Sequence, residues 1–246
     1  MLNRKLKIFF AGNALLLMTL PAGSHAKLSG SGTEPVLENT KTVSGTSLIG
    51  VNKHAKQFVK DYIRRNDESL SKIKLKGARH FPMMDSIFEK YGLPVELKYL
   101  AVIESELKST ATSRVGAKGP WQFMPETAKI LGLKITKHYD ERTSYRKSTR
   151  AAAIYLRDLH NEFGDWLLVL AAYNGGPGPV YKAIKRSGSR NFWKLQHYLP
   201  AESRGHVKKY IATHYYFEGQ GGLTTLTKEE TRKLMMEMTA MVRNSQ

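Results

Sequence analysis

Proline at the start and glycine at the end of successive apolar stretches cut the chain, from about His54 to Gly222, into helix-length pieces. Proline suits a first helical turn, where its missing N–H would be unpaired anyway, and glycine suits the left-handed residue that closes a helix. On this reading Pro94 opens a helix through Leu107, Pro125 opens one stopping near Gly132, and Pro179 opens one stopping near Gly188. Ser148 to Phe163 carries Ala152, Tyr155, Leu156, Leu159 and Phe163 on one helical stripe, closed by Gly164. Asp165 caps the next helix, whose stripe is Trp166, Val169, Leu170 and Tyr173 before Gly175-Gly176. No segment longer than a few residues alternates like a strand, so the predicted fold is all-α.

The N-terminus has a different character. Arg4, Lys5 and Lys7 precede an apolar run from Ile8 to Leu20, and Ser24-His25-Ala26 offers small residues at a cleavage site. This is the pattern of a secretory signal peptide over residues 1–26. The run is broken by Gly12 and Asn13 and falls short of the roughly 20 residues of a spanning helix. We therefore expect no stable membrane insertion after cleavage, and a periplasmic or otherwise exported protein. The absence of cysteine leaves neither a disulfide framework nor a thiol for a lipid anchor.

Residues 27–52 are rich in Gly, Ser and Thr and read as a flexible leader. Residues 53–222 are long enough for one domain with a real core. In the tail, 223–246, Thr227 and Glu230 form a capping box for an amphipathic helix bearing Leu234, Met238, Met241 and Val242, suited to packing or partner docking. Cleavage after Ala26 removes three basic residues and no acid, leaving 36 Lys+Arg against 21 Asp+Glu and shifting the net charge from +18 to +15. That excess calls for a polyanion or is a merely solvated surface; export argues against nucleic acid and for an anionic envelope polymer.

Within the helix opened by Pro94, Leu97, Leu100, Ala101 and Glu104 share a face, which puts the Glu104 carboxylate on the apolar stripe. Desolvation disfavours an anion, the condition that suits a general acid near neutrality, although pairing with a base is an equally ordinary fate. The loop from Ser113 to Pro125 mixes glycines, Trp121, Gln122 and Met124, and Tyr173-Asn174 ends an apolar helix with a hydroxyl and an amide. Each element alone also reads as a turn or a cap.

In combination and order these pieces closely resemble the lytic murein transglycosylases. The resemblance rests on Glu104-Ser105, on Gly116-Ala117-Lys118-Gly119-Pro120-Trp121-Gln122-Phe123-Met124-Pro125, and on Asp140-Glu141-Arg142. It continues through Phe163-Gly164-Asp165-Trp166, Ala171-Ala172-Tyr173-Asn174-Gly175-Gly176 and Leu199-Pro200-Ala201-Glu202. It implies a goose-type-lysozyme-like helical domain with a substrate groove. It also implies Glu104 as acid and then base, Ser105 and Ser113 as groove hydroxyls, and Gln122 and Met124 in the loop lining the site. Tyr173 is expected to hydrogen-bond the acid, with Asn174 beside it and Glu202 near the groove. Two positions depart from the pattern: Pro120 replaces the usual aliphatic residue, and His206 with Lys208 replaces the Tyr and Pro usual after the Glu202 region.

Ordinary glycosidases use two carboxylates, and a second is not evident beside Glu104, since Glu106 points to the other side of the helix. The resemblance supplies an answer. Glu104 protonates the oxygen between N-acetylmuramic acid and N-acetylglucosamine, the substrate acetamido group supports the developing charge, and the muramyl C6 hydroxyl attacks. The expected product is a 1,6-anhydromuramyl end on a peptidoglycan glycan strand, with no cofactor and no metal; the histidines show no HExxH spacing. A hydrolytic muramidase on the same fold and a noncatalytic envelope- or nucleic-acid-binding protein are the rival readings.

Overall fold

The structure, a computed structural model, describes residues 49–244. Its helices are α1 Lys56–Gly77, α2 Phe81–Lys90, α3 Tyr99–Ser105, α4 Pro125–Ile130 and α5 Tyr145–Phe163. They continue as α6 Trp166–Gly175, α7 Pro177–Ser187, α8 Phe192–Leu195, α9 Ala201–Glu218 and α10 Lys228–Asn244. Among the described residues only isolated β-bridges occur, such as Lys118 with Thr112 and with Phe123, so the all-α expectation holds. The expected signal peptide and most of the leader lie outside the described residues.

The core forms around α6. Its sequence is apolar all round rather than on one stripe, and Leu167 through Ala172 have no exposed surface. Such a helix is stable only when covered on every side, and α5, α7 and α9 cover it. The expected stripe of Trp166, Val169, Leu170 and Tyr173 is therefore too narrow. The α5 stripe is as expected, with Ala152, Tyr155, Leu156, Leu159 and Phe163 buried and Gly164 left-handed at the C-terminus. Asp165 caps α6 through the amides of Leu167 and Leu168. Helix α9 packs on α1, α3 and α6 and brings distant segments together.

Three boundaries differ from the sequence expectation. Pro94 precedes a 3-10 turn, Val95–Lys98, before α3 begins. Helix α3 then stops at Ser105, not Leu107, because Glu106 and Leu107 both adopt left-handed backbone at φ 53° and 57°. Helix α7 starts at Pro177 rather than Pro179.

The ends of the domain also shift. Ile49, inside the expected leader, accepts hydrogen bonds from the Gly221 amide and the Tyr215 hydroxyl, and Asn52 bonds Glu230. The Thr227–Glu230 capping box forms, and the Lys228 amide donates to Asp165, so the first turn of α10 is joined to the α6 cap. Farther along, Met238, Met241 and Val242 are exposed and do not serve core packing.

Candidate active site

Glu104 sits in the last turn of α3, with a side chain only 5% exposed. The turn ends there because the Glu106 amide bonds Val102 and the Leu107 amide reaches back to Ala101, closing the helix through two left-handed residues. Left-handed backbone at non-glycine residues costs on the order of 1–3 kcal/mol each, and it gathers at functional sites. The third such residue among those described is Gln122, in the loop that follows.

That loop, residues 111–124, is built by main-chain pairing and by side chains that occupy its carbonyls. Lys118 N–H bonds Phe123 O and Gly119 N–H bonds Ala111 O. Gly119 has φ +85°, and a Cβ there would meet the Arg142 carbonyl oxygen at 1.9 Å, so only glycine fits. The Arg142 guanidinium, 7% exposed, donates to Gly116 O at 2.8 Å and Phe123 O at 2.9 Å while holding Asp140 at 2.8 Å. This arginine holds the Asp140 carboxyl below the usual carboxylate range. The Asp140-Glu141-Arg142 segment thus clamps the loop. Trp121, fully buried, donates its indole N–H to Thr149.

The facing side comes from α6 and α9. Gly175 allows the two to approach closely, since a Cβ there would meet Ser203 Oγ at 2.4 Å. Ser203 donates to the Asn174 side-chain oxygen at 3.0 Å. One turn farther on α9, His206 places Nε2 2.9 Å from Glu104 Oε1, and its side chain is 8% exposed. Glu202 stands on the same face in the preceding turn. Burial pushes its carboxyl up, a hydrogen bond from Asn174 opposes this, and the Glu104 charge adds to the rise.

The residues expected at the site meet here, but with different tasks. Ser105 donates to the carbonyls of Pro120 and Ala101 and is 7% exposed, so its hydroxyl ties α3 to the loop instead of facing a groove. Ser113 accepts from the Ala117 amide, and Gln122 donates to Ala111 O and Gly119 O, both shaping the loop. Met124 caps α4 at extended backbone. Tyr173 donates to Trp121 O at 2.8 Å rather than to Glu104, though it lies near enough for the Glu104 charge to add to the burial that raises its hydroxyl. Glu202, expected near the groove, lies close enough to feel the Glu104 charge.

The sequence marked Arg142 as part of a matching motif and His206 as a departure from the pattern, but gave neither a role at the site. Glu202, His206, Tyr210 and His214 recur every four residues, a polar and aromatic ridge along α9 that was the available signal. Beside the start of α9 a cavity of about 580 Å³ opens, lined by Lys182, Lys185, Arg186, His197 and Tyr198 without an acidic residue.

A helical domain that buries the Glu104 carboxylate at a helix end, beside a clamped glycine-containing loop, is of the lysozyme-like class. Residues 86–196 belong to the Transglycosylase SLT domain family. The chain is 35% identical over 193 residues to membrane-bound lytic murein transglycosylase D of Escherichia coli K12, covering 76% of this chain and 42% of that protein. The chain thus spans less than half of that relative. Peptidoglycan transglycosylase gp16 of Escherichia phage T7 is 40% identical over 101 residues, 38% of this chain and 8% of that one. Among solved structures, the complex of the 70-kDa soluble lytic transglycosylase with bulgecin A aligns with TM-score 0.51 and 22% identity, over 71% of this chain and 32% of that one, a likeness of fold.

Proposed function

We propose that the chain is an exported peptidoglycan lytic transglycosylase, acting in the periplasm or elsewhere in the envelope on the MurNAc–GlcNAc β-1,4 bond to leave 1,6-anhydromuramyl ends. The observation that carries this reading is the buried Glu104 carboxylate held at one oxygen by His206. Glu104 gives its proton to the leaving oxygen and then takes the proton of the muramyl C6 hydroxyl, which closes on the anomeric carbon; water takes no part. The catalytic unit spans 53–222 together with the docked segment from Ile49, and residues 1–26 are removed on export. The basic cavity beside α9 and the net charge of +15 suit a polyanion, and export makes that an anionic wall polymer rather than nucleic acid.

Glu202 supports a second reading, a hydrolytic muramidase in which it activates water. Asn174 occupies it with a hydrogen bond, which favours a binding role. Glu104→Gln tests the assignment: the amide keeps the shape but cannot pass a proton, so release of fragments from purified sacculi should fall by at least about 10²–10⁴-fold with an unchanged circular dichroism melt. Activity within a few-fold of wild type would remove Glu104 from the chemistry.

A further inference from the structure

The contact between His206 and Glu104 fixes more than proximity. His206 Nε2 meets Glu104 Oε1 at 2.9 Å, whereas its other ring nitrogen, Nδ1, is buried and meets no hydrogen-bond partner among the described residues. A neutral imidazole carries one N–H and one bare nitrogen, and its partners decide which is which. Placing the proton on Nδ1 would bury an unpaired donor, and making the ring a cation would bury that same donor with a charge. Placing it on Nε2 gives the proton an acceptor. From the proposed function and this geometry, we infer that His206 is a positioning residue, a neutral donor with its proton fixed on Nε2, that holds Glu104 Oε1 and leaves Oε2 as the oxygen that exchanges protons with substrate.

The consequence for the reaction is differential. When Oε2 carries the proton, Oε1 is carbonyl-like and the bond from His206 is an ordinary one. As the proton passes from Oε2 to the leaving oxygen, charge develops on the carboxylate, and the N–H bond to Oε1 becomes charge-assisted and stronger. An interaction stronger in the transition state than in the ground state accelerates the step. The carboxylate then accepts the C6 hydroxyl proton at Oε2 and the pair returns to its starting state, with His206 unchanged throughout. A tyrosine at this position, the residue usual in the resembling family, would offer the same single donor through its hydroxyl. Glu202 faces the pair from the preceding turn of α9, Tyr173 from α6, and the Lys209 charge acts on Glu202. None of these offers a hydrogen bond to Nδ1.

The test has two arms. Ring ¹⁵N NMR of the wild-type protein reads the protonation of both His206 nitrogens without any assay, and is expected to show Nε2 protonated and Nδ1 bare at pH 7. A ring protonated at Nδ1, or a cation there, overturns the inference. Kinetics on short soluble MurNAc–GlcNAc strands should give His206→Phe a kcat lower by about 10- to 100-fold, the kinetic equivalent of one hydrogen bond to a charged group, with KM within a few-fold. His206→Tyr should recover most of that loss. If His206→Phe keeps wild-type kcat, or His206→Tyr is as poor as His206→Phe while both melt like wild type, the positioning role is wrong. A wild-type protein inactive on the strands would instead strike the proposed function, while the NMR arm still reads the tautomer.

Discussion

Tyr173 turns its hydroxyl onto the main-chain carbonyl of Trp121, 2.8 Å away, and so fastens the end of α6 to the loop facing Glu104. Tyr173→Phe removes that donor and leaves a carbonyl short of a partner. Stability should fall by about 1 kcal/mol, and turnover should fall through loosening of the loop, with glycan affinity little changed. Urea midpoints and steady-state kinetics of the variant check this together. Unaltered stability and unaltered kcat would show that the bond matters to neither fold nor chemistry.

Arg142 is the larger test of the loop. Its guanidinium satisfies two loop carbonyls and Asp140 at once, and both side chains of the ion pair are largely buried at 7% and 13% exposure. Breaking such a pair from one side leaves an uncompensated charge, so Arg142→Ala should destabilise by about 3 kcal/mol. The double variant Arg142→Ala with Asp140→Ala should lose less than the sum of the two single changes, because the stranded carboxylate is gone. Additive losses in chemical denaturation would mean that the two side chains act independently.

His214, 1% exposed on α9, makes stability depend on pH. Burial pushes its imidazole down to about 4, with Glu218 opposing and Lys98 adding. Above an unfolded value of roughly 6.5 both states are neutral at this site and it contributes no slope. As pH falls from there to 4 the unfolded chain takes up a proton the native protein refuses. Stability is then lost by up to about 3 kcal/mol once pH is below 4. Denaturation at pH 7 and pH 5 should show a shallower loss in His214→Gln than in wild type. Equal slopes would place the pH dependence elsewhere.

What the sequence made legible was what neighbours in the chain decide. The α5 stripe, the Asp165 cap and the Thr227–Glu230 box each depend on residues within a turn or two, and each formed. The stop at Ser105 did not follow from local preference, since neither Glu106 nor Leu107 is a residue that favours left-handed backbone. The site is tertiary in origin. Glu104 and His206 meet across 102 positions only because α3 packs on α9, and Arg142 reaches the loop from beyond α4. Ser105 follows Glu104 directly and Ser113 and Gln122 lie in the next loop, but their hydrogen-bonding capacity goes to holding that loop rather than to facing a groove.

The central claim is that Glu104 acts alone as acid and base while Glu202 stays a bystander to the proton transfers. Mass spectrometry of the muropeptides released from intact sacculi tests it most directly. The account predicts fragments ending in 1,6-anhydromuramic acid, one water lighter than hydrolytic products, and their disappearance in Glu104→Gln. Fragments with reducing muramyl ends, lost in Glu202→Gln as well as in Glu104→Gln, would contradict it and make the protein a hydrolase with two working carboxylates.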